Sequence, residues 1–319
     1  MGSSSIMQPD LGVGVGLRVP HYAAILAERP SVDFFEIISE NFMVGGGKPL
    51  YHLDRVLEHY RVVQHGVSLG IGGPDEPDRA YLTRLKQLVR RTQTPWVTDH
   101  FCWCGAGGAH LHDLLPIPYT PEAVRRTVER ARMIQDFLEV PFALENTSSY
   151  LTYRSSTLSE WEFISEIAER ADIGLLFDVN NVYVSAFNHG FDAETFVRSI
   201  PHERIFQIHL AGHTNLGKYI IDTHRGSVIE PVLELYRQTV ALSGPVSTLI
   251  EWDDEIPELG VLLAEAERIR RARDEGLARR DGRTLPAPPA SAEPPPVPGD
   301  AHGWVQGGPR ESAAHEAIG

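Results

Sequence analysis

The chain has 319 residues, of which 42% are hydrophobic, and a formal net charge of −14. Length and composition allow a sizeable core, while the acidic balance argues against a nucleic-acid-binding protein, because phosphate contacts need a basic face. The sequence has neither an apolar run of about 18 residues, as a membrane helix needs, nor an N-terminal signal peptide, so we expect a cytoplasmic protein that contacts no membrane.

Eight short apolar segments are predicted as strands. They are residues 11–15, 34–38, 67–71, 96–98, 142–144, 173–177, 205–210 and 247–250. Helices are predicted between and after them, at about residues 21–29, 50–60, 78–93, 121–138, 159–171, 192–199, 228–243 and 257–275. Strands that are apolar throughout are typical of a parallel sheet buried on both faces.

The alternation of strands and helices predicts an α/β fold, a TIM-type (β/α)8 barrel that occupies residues 1–275. An open doubly wound sheet is the alternative. Helix start signals support the assignment. Thr120 precedes Pro121 as a candidate N-cap, and Ser159 with Glu162 has the spacing of a capping box.

The composition changes near the C-terminus. Residues 286–298 contain seven prolines in thirteen positions, and the rest of the chain has few large apolar side chains. Such a segment cannot bury enough surface to order itself. We therefore predict that residues 276–319 form a disordered, proline-rich tail.

Histidines and carboxylates recur at the ends of the predicted strands. The set is His65, His100, Glu145, Asp178, His209, Asp222, His224 and Glu251. Taken singly, each is more often an ordinary polar residue than a ligand. Taken together they predict a metal site, because a barrel gathers its strand ends on one face and buried carboxylates need cations nearby.

The order of these residues suggests how they divide between ions. Glu145 is placed to bridge two ions, one of them completed by His65 and His100 and the other by Asp178, His209 and Glu251. Asp222 and His224 are two residues apart, so in an extended segment they point the same way and can hold a third ion. Asn181 or Asn180 can add an oxygen to it.

Longer strings around these residues resemble the multinuclear non-heme iron-dependent oxidative enzymes, the family of MbnB and TglH. The strings are SENFM at 39–43, HGVSLGIGG at 65–73, TDHFCW at 98–103, LENTSSY at 144–150, FDVNNVYVSAFNHG at 177–190, IHLAGH at 208–213, DTH at 222–224 and IEWD at 250–253. The resemblance covers about residues 11–270.

The resemblance implies a barrel with two or three irons, a mixed-valent Fe(II)/Fe(III) pair that uses dioxygen to oxidise a residue, often cysteine, of a ribosomally made precursor peptide. It also implies a partner protein that recognises the leader peptide. The implied ligands are His65, His100, Glu145, Asp178, His209 and Glu251 for the pair and Asn181, Asp222 and His224 for the third ion. Glu145, Asp178 and His209 are the expected catalytic residues.

Weaker candidates for the rim are His213, Lys218, Glu40, Asn41, Asn146, His189 and Arg225, with Asp99 in a supporting role. Trp103, Tyr150 and Trp252 are expected to pack at the barrel rim. The only two cysteines, Cys102 and Cys104, make a disulfide framework unlikely, and a metal or redox role for the pair is a lesser alternative.

Three other functions fit a metal site on such a barrel. One is a hydrolase of the endonuclease IV type, which requires a basic DNA groove that this acidic chain does not offer. Another is a sugar isomerase, and the third is a metal-dependent binding protein without catalysis. Metal analysis separates the first of these from an iron enzyme.

Overall fold

The computed structural model describes residue 6 and residues 8–285. Eight strands form a closed barrel in the order β1-β12-β9-β8-β7-β4-β3-β2, and each neighbouring pair is parallel. Their bounds are β1 Val13–Gly16, β2 Phe35–Ile38, β3 Val62–His65, β4 Val97–His100, β7 Phe142–Glu145, β8 Gly174–Asp178, β9 Ile205–Ala211 and β12 Ser247–Glu251. Since β1 pairs with both β2 and β12, the predicted barrel is confirmed and the open sheet is excluded.

Two short antiparallel hairpins lie outside the barrel. They consist of β5 Cys102–Ala106 with β6 Ala109–Pro116, and of β10 Thr214–Asn215 with β11 Ile220–Ile221. The sequence analysis missed both hairpins. They extend the connections that follow β4 and β9.

The α-helices of the described residues are α1 Tyr22–Glu28, α2 Lys48–Leu57, α3 Arg79–Thr92, α4 Pro121–Leu138, α5 Glu160–Ala171, α6 Val179–His189, α7 Ala193–Ser199, α8 Glu230–Ser243 and α9 Leu259–Arg280. Both predicted start signals are confirmed. Thr120 accepts the Ala123 N–H at the start of α4, and Ser159 with Glu162 forms a capping box on α5. None of the helices within the described part of the chain is long and apolar enough to cross a bilayer.

The third predicted strand, at residues 67–71, was wrong. The strand is β3, Val62–His65, which pairs with β2 and β4. After Gly66 the chain leaves the barrel, and the N–H groups of Val67 and Ser68 donate to Oε1 of Glu40 instead of to a neighbouring strand. His65 therefore ends a barrel strand, as His100, Glu145, Asp178 and Glu251 do, whereas His209 lies two residues before the end of β9.

Helix α6 was also missed, because its sequence VNNVYVSAFNH mixes β-branched and polar residues without a clear helical period. The helix begins directly after β8, where the Asp178 carboxylate accepts the Asn181 N–H. Its first residues are buried, Asn180 and Asn181 among them. Tertiary packing and this cap explain a helix that local propensity does not predict.

The last helix is longer than predicted. It was expected to end at residue 275 but continues to Arg280, because Gly276 packs closely against α8 and Ala278 is buried. Residues 276–280, predicted as part of the tail, are thus helical. Residues 286–319, including the proline-rich segment, lie outside the described residues, so the division into barrel and tail stays a prediction.

The apolar core has two layers. The larger one lies between the strands and the surrounding helices. A smaller, separate cluster consists of Leu11, Phe34, Val63, Trp96, Ala143, Phe206 and Leu249. Val63, Ala143 and Leu249 directly neighbour Val62, Leu144 and Ile250 of the larger cluster. Because successive strand residues face opposite sides of a sheet, these three side chains point into the barrel.

Candidate metal centre

The predicted ligands lie on the interior face of the barrel, nearer the C-terminal ends of the strands than the inner apolar cluster. His65 follows Val63 by two residues, Glu145 follows Ala143 and Glu251 follows Leu249, so each lies on the same face of its strand as a cluster residue. Since all barrel strands run in parallel, the six barrel-strand ligands meet at the C-terminal mouth. They are His65, His100, Glu145, Asp178, His209 and Glu251, and all are buried.

Glu145 lies between two histidines on one side. Its Oε2 is 3.3 Å from Nε2 of His65 and 3.3 Å from Nε2 of His100. The opposite ring nitrogens have partners of their own: Nδ1 of His65 lies 2.8 Å from the Thr98 hydroxyl, and Nδ1 of His100 lies 3.1 Å from the Gly66 carbonyl oxygen. These contacts turn both Nε2 atoms toward the carboxylate, as the outer partners of metal-binding histidines do.

On its other side Glu145 faces His209. The Oε1 atom is 3.6 Å from Nδ1 of His209, and the same nitrogen is 3.2 Å from Oε2 of Glu251. Ligand atoms of Glu145, Asp178, His209 and Glu251 all lie within 4.8 Å of one another, as do those of His65, His100 and Glu145. Glu145 is the only residue that these two groups share.

Asp178 has two different contacts. Its Oδ1 accepts the Asn181 N–H at 2.6 Å and so caps α6, which leaves Oδ2 for the centre. Asn146 exchanges two hydrogen bonds with the Asp178 backbone, at 2.8 and 2.9 Å, and so holds the ends of β7 and β8 together. The amide Nδ2 of Asn181 lies 3.0 Å from the Asn146 carbonyl oxygen and 3.5 Å from Oε1 of Glu145.

A third group lies beside the first two but differs from the expected one. Nδ1 of His224 is 3.5 Å from Oε2 of Glu251 and 3.6 Å from Oδ2 of Asp253, whereas its Nε2 is 3.2 Å from Oδ1 of Asp222. Asp222 and His224 do meet, although the segment is not extended, since His224 has φ of 49°.

The amide that contacts Asp222 belongs to Asn180, at 2.8 Å, and not to Asn181. The side chain of Asn181 instead points toward Glu145 and the Asn146 carbonyl oxygen. Of the two asparagines proposed for the third ion, Asn180 is thus the one beside Asp222.

Several buried atoms of the predicted ligands have no hydrogen-bond partner within the described part of the chain. They are Oε2 of Glu145, Oδ2 of Asp178, Oδ1 of Asn181, Nδ1 of His209 and Oε2 of Glu251. Buried polar atoms are normally satisfied, and a cluster of exceptions needs an explanation. Metal ions supply one, because imidazole nitrogens and carboxylate oxygens are ligands for iron, manganese and zinc. The residues therefore fit a polynuclear metal centre.

Burial and neighbouring charges shift the pKa values of the residues at the centre. Burial raises the pKa of Asp178 well above its usual value, and the neighbouring Glu145 carboxylate adds to this. Burial lowers the pKa of His65 well below its usual value, with His100 acting in the same direction, so that His65 is neutral and able to bind metal. Burial alone would lower the pKa of His209. The carboxylates of Glu251 and Glu36 outweigh burial and raise this pKa well above its usual value.

Glu36 was missed by the sequence analysis. It is buried in β2, and its Oε2 lies 3.1 Å from Nε2 of His209 and 2.5 Å from Nε2 of Gln207. Gln207 in turn accepts the indole N–H of Trp96 at 2.9 Å. A carboxylate within the apolar string FFEII was the signal that could have identified it.

Asp253 was missed as well, although it lies in the string IEWD. One of its oxygens is paired with the Arg18 guanidinium, and the other faces His224. It lies two residues beyond Glu251, the last residue of β12, and so outside the regular strand that made the other ligands recognisable.

Three of the weaker candidates have contacts outside the centre. Glu40 accepts the Tyr81 hydroxyl, Arg225 pairs with Glu255, and His189 contacts Ser149. Nδ1 of His213 lies 2.7 Å from Oδ1 of Asn180, so this histidine is one contact removed from Asp222.

Two further expectations concern residues near the rim. Trp103 is half-buried, as expected, and its indole N–H contacts the Pro116 carbonyl oxygen and the Tyr153 hydroxyl. Tyr150, expected to pack, is instead 53% exposed.

Solved structures with the same barrel are sugar epimerases in several cases. A D-allulose 3-epimerase from Methylomonas sp. superposes with a TM-score of 0.53 at 13% identity, covering 87% of this chain and 98% of that one. A D-tagatose 3-epimerase-like protein gives a TM-score of 0.53 at 14% identity, covering 85% and 98%. At this identity the likeness concerns the fold alone.

Sequence relatives are much closer. A UPF0276 protein of Anaeromyxobacter sp. (strain Fw109-5) is 50% identical over 276 residues, which cover 86% of this chain and 98% of that protein. A UPF0276 protein of Caulobacter vibrioides is 49% identical over 268 residues, covering 84% and 95%. The family model described as RiPP precursor modification enzyme MbnB/TglH/ChrH matches residues 12–274, the whole barrel with its mouth, and the chain therefore belongs to this family.

Proposed function

We propose that this protein is an oxidative enzyme that uses two or three irons and dioxygen to modify a residue, often cysteine, of a ribosomally made precursor peptide. The family supports a precursor peptide as substrate. The observation that carries the metal part is the cluster of buried ligand atoms without hydrogen-bond partners around Glu145. A partner protein that recognises the leader peptide belongs to the same proposal.

The candidate ligands divide into two groups that share Glu145. His65, His100 and Glu145 would hold one ion, and Glu145, Asp178, His209 and Glu251 would hold the other. A mixed-valent iron pair would supply one-electron chemistry with dioxygen and a Lewis-acidic coordination position for a substrate thiolate.

A third ion would be held around His224. The contacts favour Asp222 and His224 as ligands of this ion, with Asn180 or Asp253 beside them. We therefore leave Asn181 out of this group. We assign Asn181 to the shared pair, because its unpartnered Oδ1 is buried and its amide reaches Glu145.

The protein's own residues order this centre before substrate arrives. Thr98 and the Gly66 carbonyl fix the two histidines, Glu36 fixes His209, and Asn146 fixes the backbone of Asp178. Glu145, Asp178 and His209, which we assign as the catalytic residues, are all buried, so bulk water is excluded from the reacting side chain.

Metal analysis tests the proposal first. The full chain is expressed in iron-rich medium, purified without oxygen and analysed for iron, zinc and manganese, and we expect two to three irons with a mixed-valent spectroscopic signal. Stoichiometric zinc without iron would overturn the iron assignment and favour a hydrolase. Incubation with the peptide encoded by a neighbouring small open reading frame is expected to give a mass change that depends on oxygen.

Variants of one carboxylate locate the centre. Glu145→Ala is expected to lose most bound iron and all turnover, and Glu145→Gln is expected to lose the bridging charge while keeping the shape. Glu169→Ala, at an exposed position on α5, is the matched control and keeps both. A folded Glu145→Ala protein with the full iron content and activity would contradict the assignment.

A further inference from the structure

A cleft of about 590 Å³ opens at the mouth of the barrel, next to the candidate metal centre. Its lining residues are Tyr150, Asn188, His189, Tyr219 and Ile221. They come from three segments, the loop after β7, the end of α6 and the hairpin β10–β11. The cleft is large enough for a few side chains of a peptide, since ligand pockets are typically about 300 to 1,000 Å³.

Specific hydrogen bonds hold the three segments together. The side chain of Asn188 exchanges two bonds with the backbone of Ile220, at 2.8 and 2.9 Å, which attaches the hairpin to the end of α6. The Asp222 N–H donates to the Tyr150 hydroxyl at 2.8 Å, which attaches the loop after β7 to the same hairpin. The cleft is therefore a built feature of the fold and not a gap between loose loops.

Exposed apolar side chains are concentrated on these segments. Of the thirteen large hydrophobic residues that are exposed in the described part of the chain, five lie here. They are Tyr150, Leu151, Phe187, Leu216 and Tyr219. Several exposed apolar side chains on adjoining segments favour an interaction site, whereas single ones scattered over a surface do not.

The cleft adjoins the metal centre and differs from it in charge. Ile221 lines the cleft and directly precedes Asp222, a predicted ligand, so the two Cα atoms are about 3.8 Å apart. Among the described residues, those that line the cleft include no Asp, Glu, Lys or Arg, whereas the candidate metal centre is rich in carboxylates. A ligand that spans both places thus meets an acidic centre and, within a few residues, an uncharged aromatic wall.

We propose that this cleft binds an uncharged apolar or aromatic side chain of the precursor peptide, close in sequence to the residue that is modified. The inference rests on the proposed function in one respect, since it takes the substrate to be a peptide. Aromatic rings suit such a side chain because they bury a large area with little loss of conformational entropy. The anchor fixes which peptide residue reaches the metal centre.

Photo-cross-linking tests the cleft without turnover. The probe is the capped peptide acetyl-Ala-Bpa-Cys-Ala-Ala-amide, in which Bpa is p-benzoylphenylalanine. It is added to the full chain with the metal that the protein holds as purified, and the labelled residues are identified by mass spectrometry. We expect cross-links on Tyr150, on residues 187–189 or on residues 216–221. Acetyl-Ala-Phe-Cys-Ala-Ala-amide is expected to compete with the probe, and the same peptide with Asp in place of Phe is not.

The variant Tyr219→Ala removes one wall of the cleft without touching a predicted ligand. We expect about tenfold weaker labelling, which corresponds to ~1.4 kcal/mol. Tyr51→Ala removes another exposed tyrosine, 61% exposed against 49% for Tyr219, from α2 on the far side of the barrel, and is expected to leave labelling unchanged. Labelling spread over other surfaces, or equal competition by the Asp peptide, would overturn the inference, even if the cleft then proves to dock a partner protein.

The two proposals can fail separately. A protein that contains iron and oxidises its peptide but is labelled elsewhere contradicts only the role of the cleft. A protein labelled in the cleft that binds zinc and no iron contradicts only the oxidative function.

Discussion

Oε2 of Glu36 lies 3.1 Å from Nε2 of His209, on the side of the imidazole ring opposite the atom that faces Glu145 and Glu251. The contact presents Nδ1 of His209 to the metal centre and fixes the plane of the ring. Such outer carboxylates orient a ligand histidine and raise its basicity, and removing them costs about 10- to 100-fold in metal affinity.

We therefore expect Glu36→Gln to fold but to bind Co²⁺ about 10- to 100-fold more weakly, as measured by competition with a chelator. Glu265→Gln is the matched control. Glu265 is also a buried glutamate, but it bonds to Val228 and Arg268 on the outer side of the barrel. It is expected to lower the denaturation midpoint without changing Co²⁺ affinity, and unaltered affinity in Glu36→Gln would refute the role of Glu36.

Metal loading is expected to release protons. Burial alone would lower the pKa values of His209 and His224, but the facing carboxylates, Glu251 for the first and Asp222 for the second, raise both well above the usual histidine value. At pH 7 the metal-free histidines therefore carry protons that a metal ion must displace. The affinity should rise as the pH rises.

Calorimetric titration with Co²⁺ in phosphate and in Tris measures this release, because the two buffers differ in their enthalpy of ionisation. We expect different observed enthalpies in the two buffers and a smaller difference for His224→Ala. Equal enthalpies in the wild-type protein would show that no proton is displaced.

Gly174 gives a prediction about the barrel itself. A Cβ atom at this position would lie 2.5 Å from two carbons of the Phe206 ring, which is packed inside the barrel. Gly174→Ala is expected to lower the free energy of unfolding by about 1 to 3 kcal/mol, as overpacking of a core does. At Gly260 in α9, an added Cβ atom would have no described atom within 4 Å apart from its own helix backbone and chain neighbours. Gly260→Ala should therefore be neutral or stabilising. Urea denaturation compares the two, and equal midpoints would argue against tight packing at Gly174.

The two cysteines are expected to be inert in the folded protein. Both are free and buried, and burial, aided by the Asp99 charge, raises the pKa of Cys102 well above its usual value and that of Cys104 less strongly. Iodoacetamide at pH 8 should therefore modify neither thiol quickly, although it should modify both in urea. Rapid alkylation of Cys102 in the folded state would instead revive a redox or metal role for the pair.

The barrel could be predicted from sequence because its strands are apolar throughout and alternate regularly with helices. The exception is instructive. Residues 62–65 read VVQH, with only two apolar residues, while the more apolar segment 67–71 lies in a loop. Both Gln64 and His65 are buried, and the side-chain amide of Gln64 donates to the hydroxyl of Thr92 in α3, a partner that only the fold brings near.

The candidate ligands on the barrel strands were recognisable for a related reason. A histidine or carboxylate that ends an apolar run stands out in a sequence, whereas Glu36 lies inside such a run and Asp253 follows it. The composition of the third group could not be predicted, because the bend at His224 and the pairing of Asn180 with Asp222 arise from tertiary contacts.

Helix α6 joins the two places where the substrate is expected to be held. Its first turn is capped by Asp178 of the metal centre, and its last residues, Asn188 and His189, line the cleft. The eleven residues between these ends span about 16 Å at 1.5 Å per residue. The length of the helix therefore fixes the distance between the candidate metal centre and the cleft. Relatives with a longer or shorter α6 should modify a residue at a correspondingly different distance from the anchored side chain.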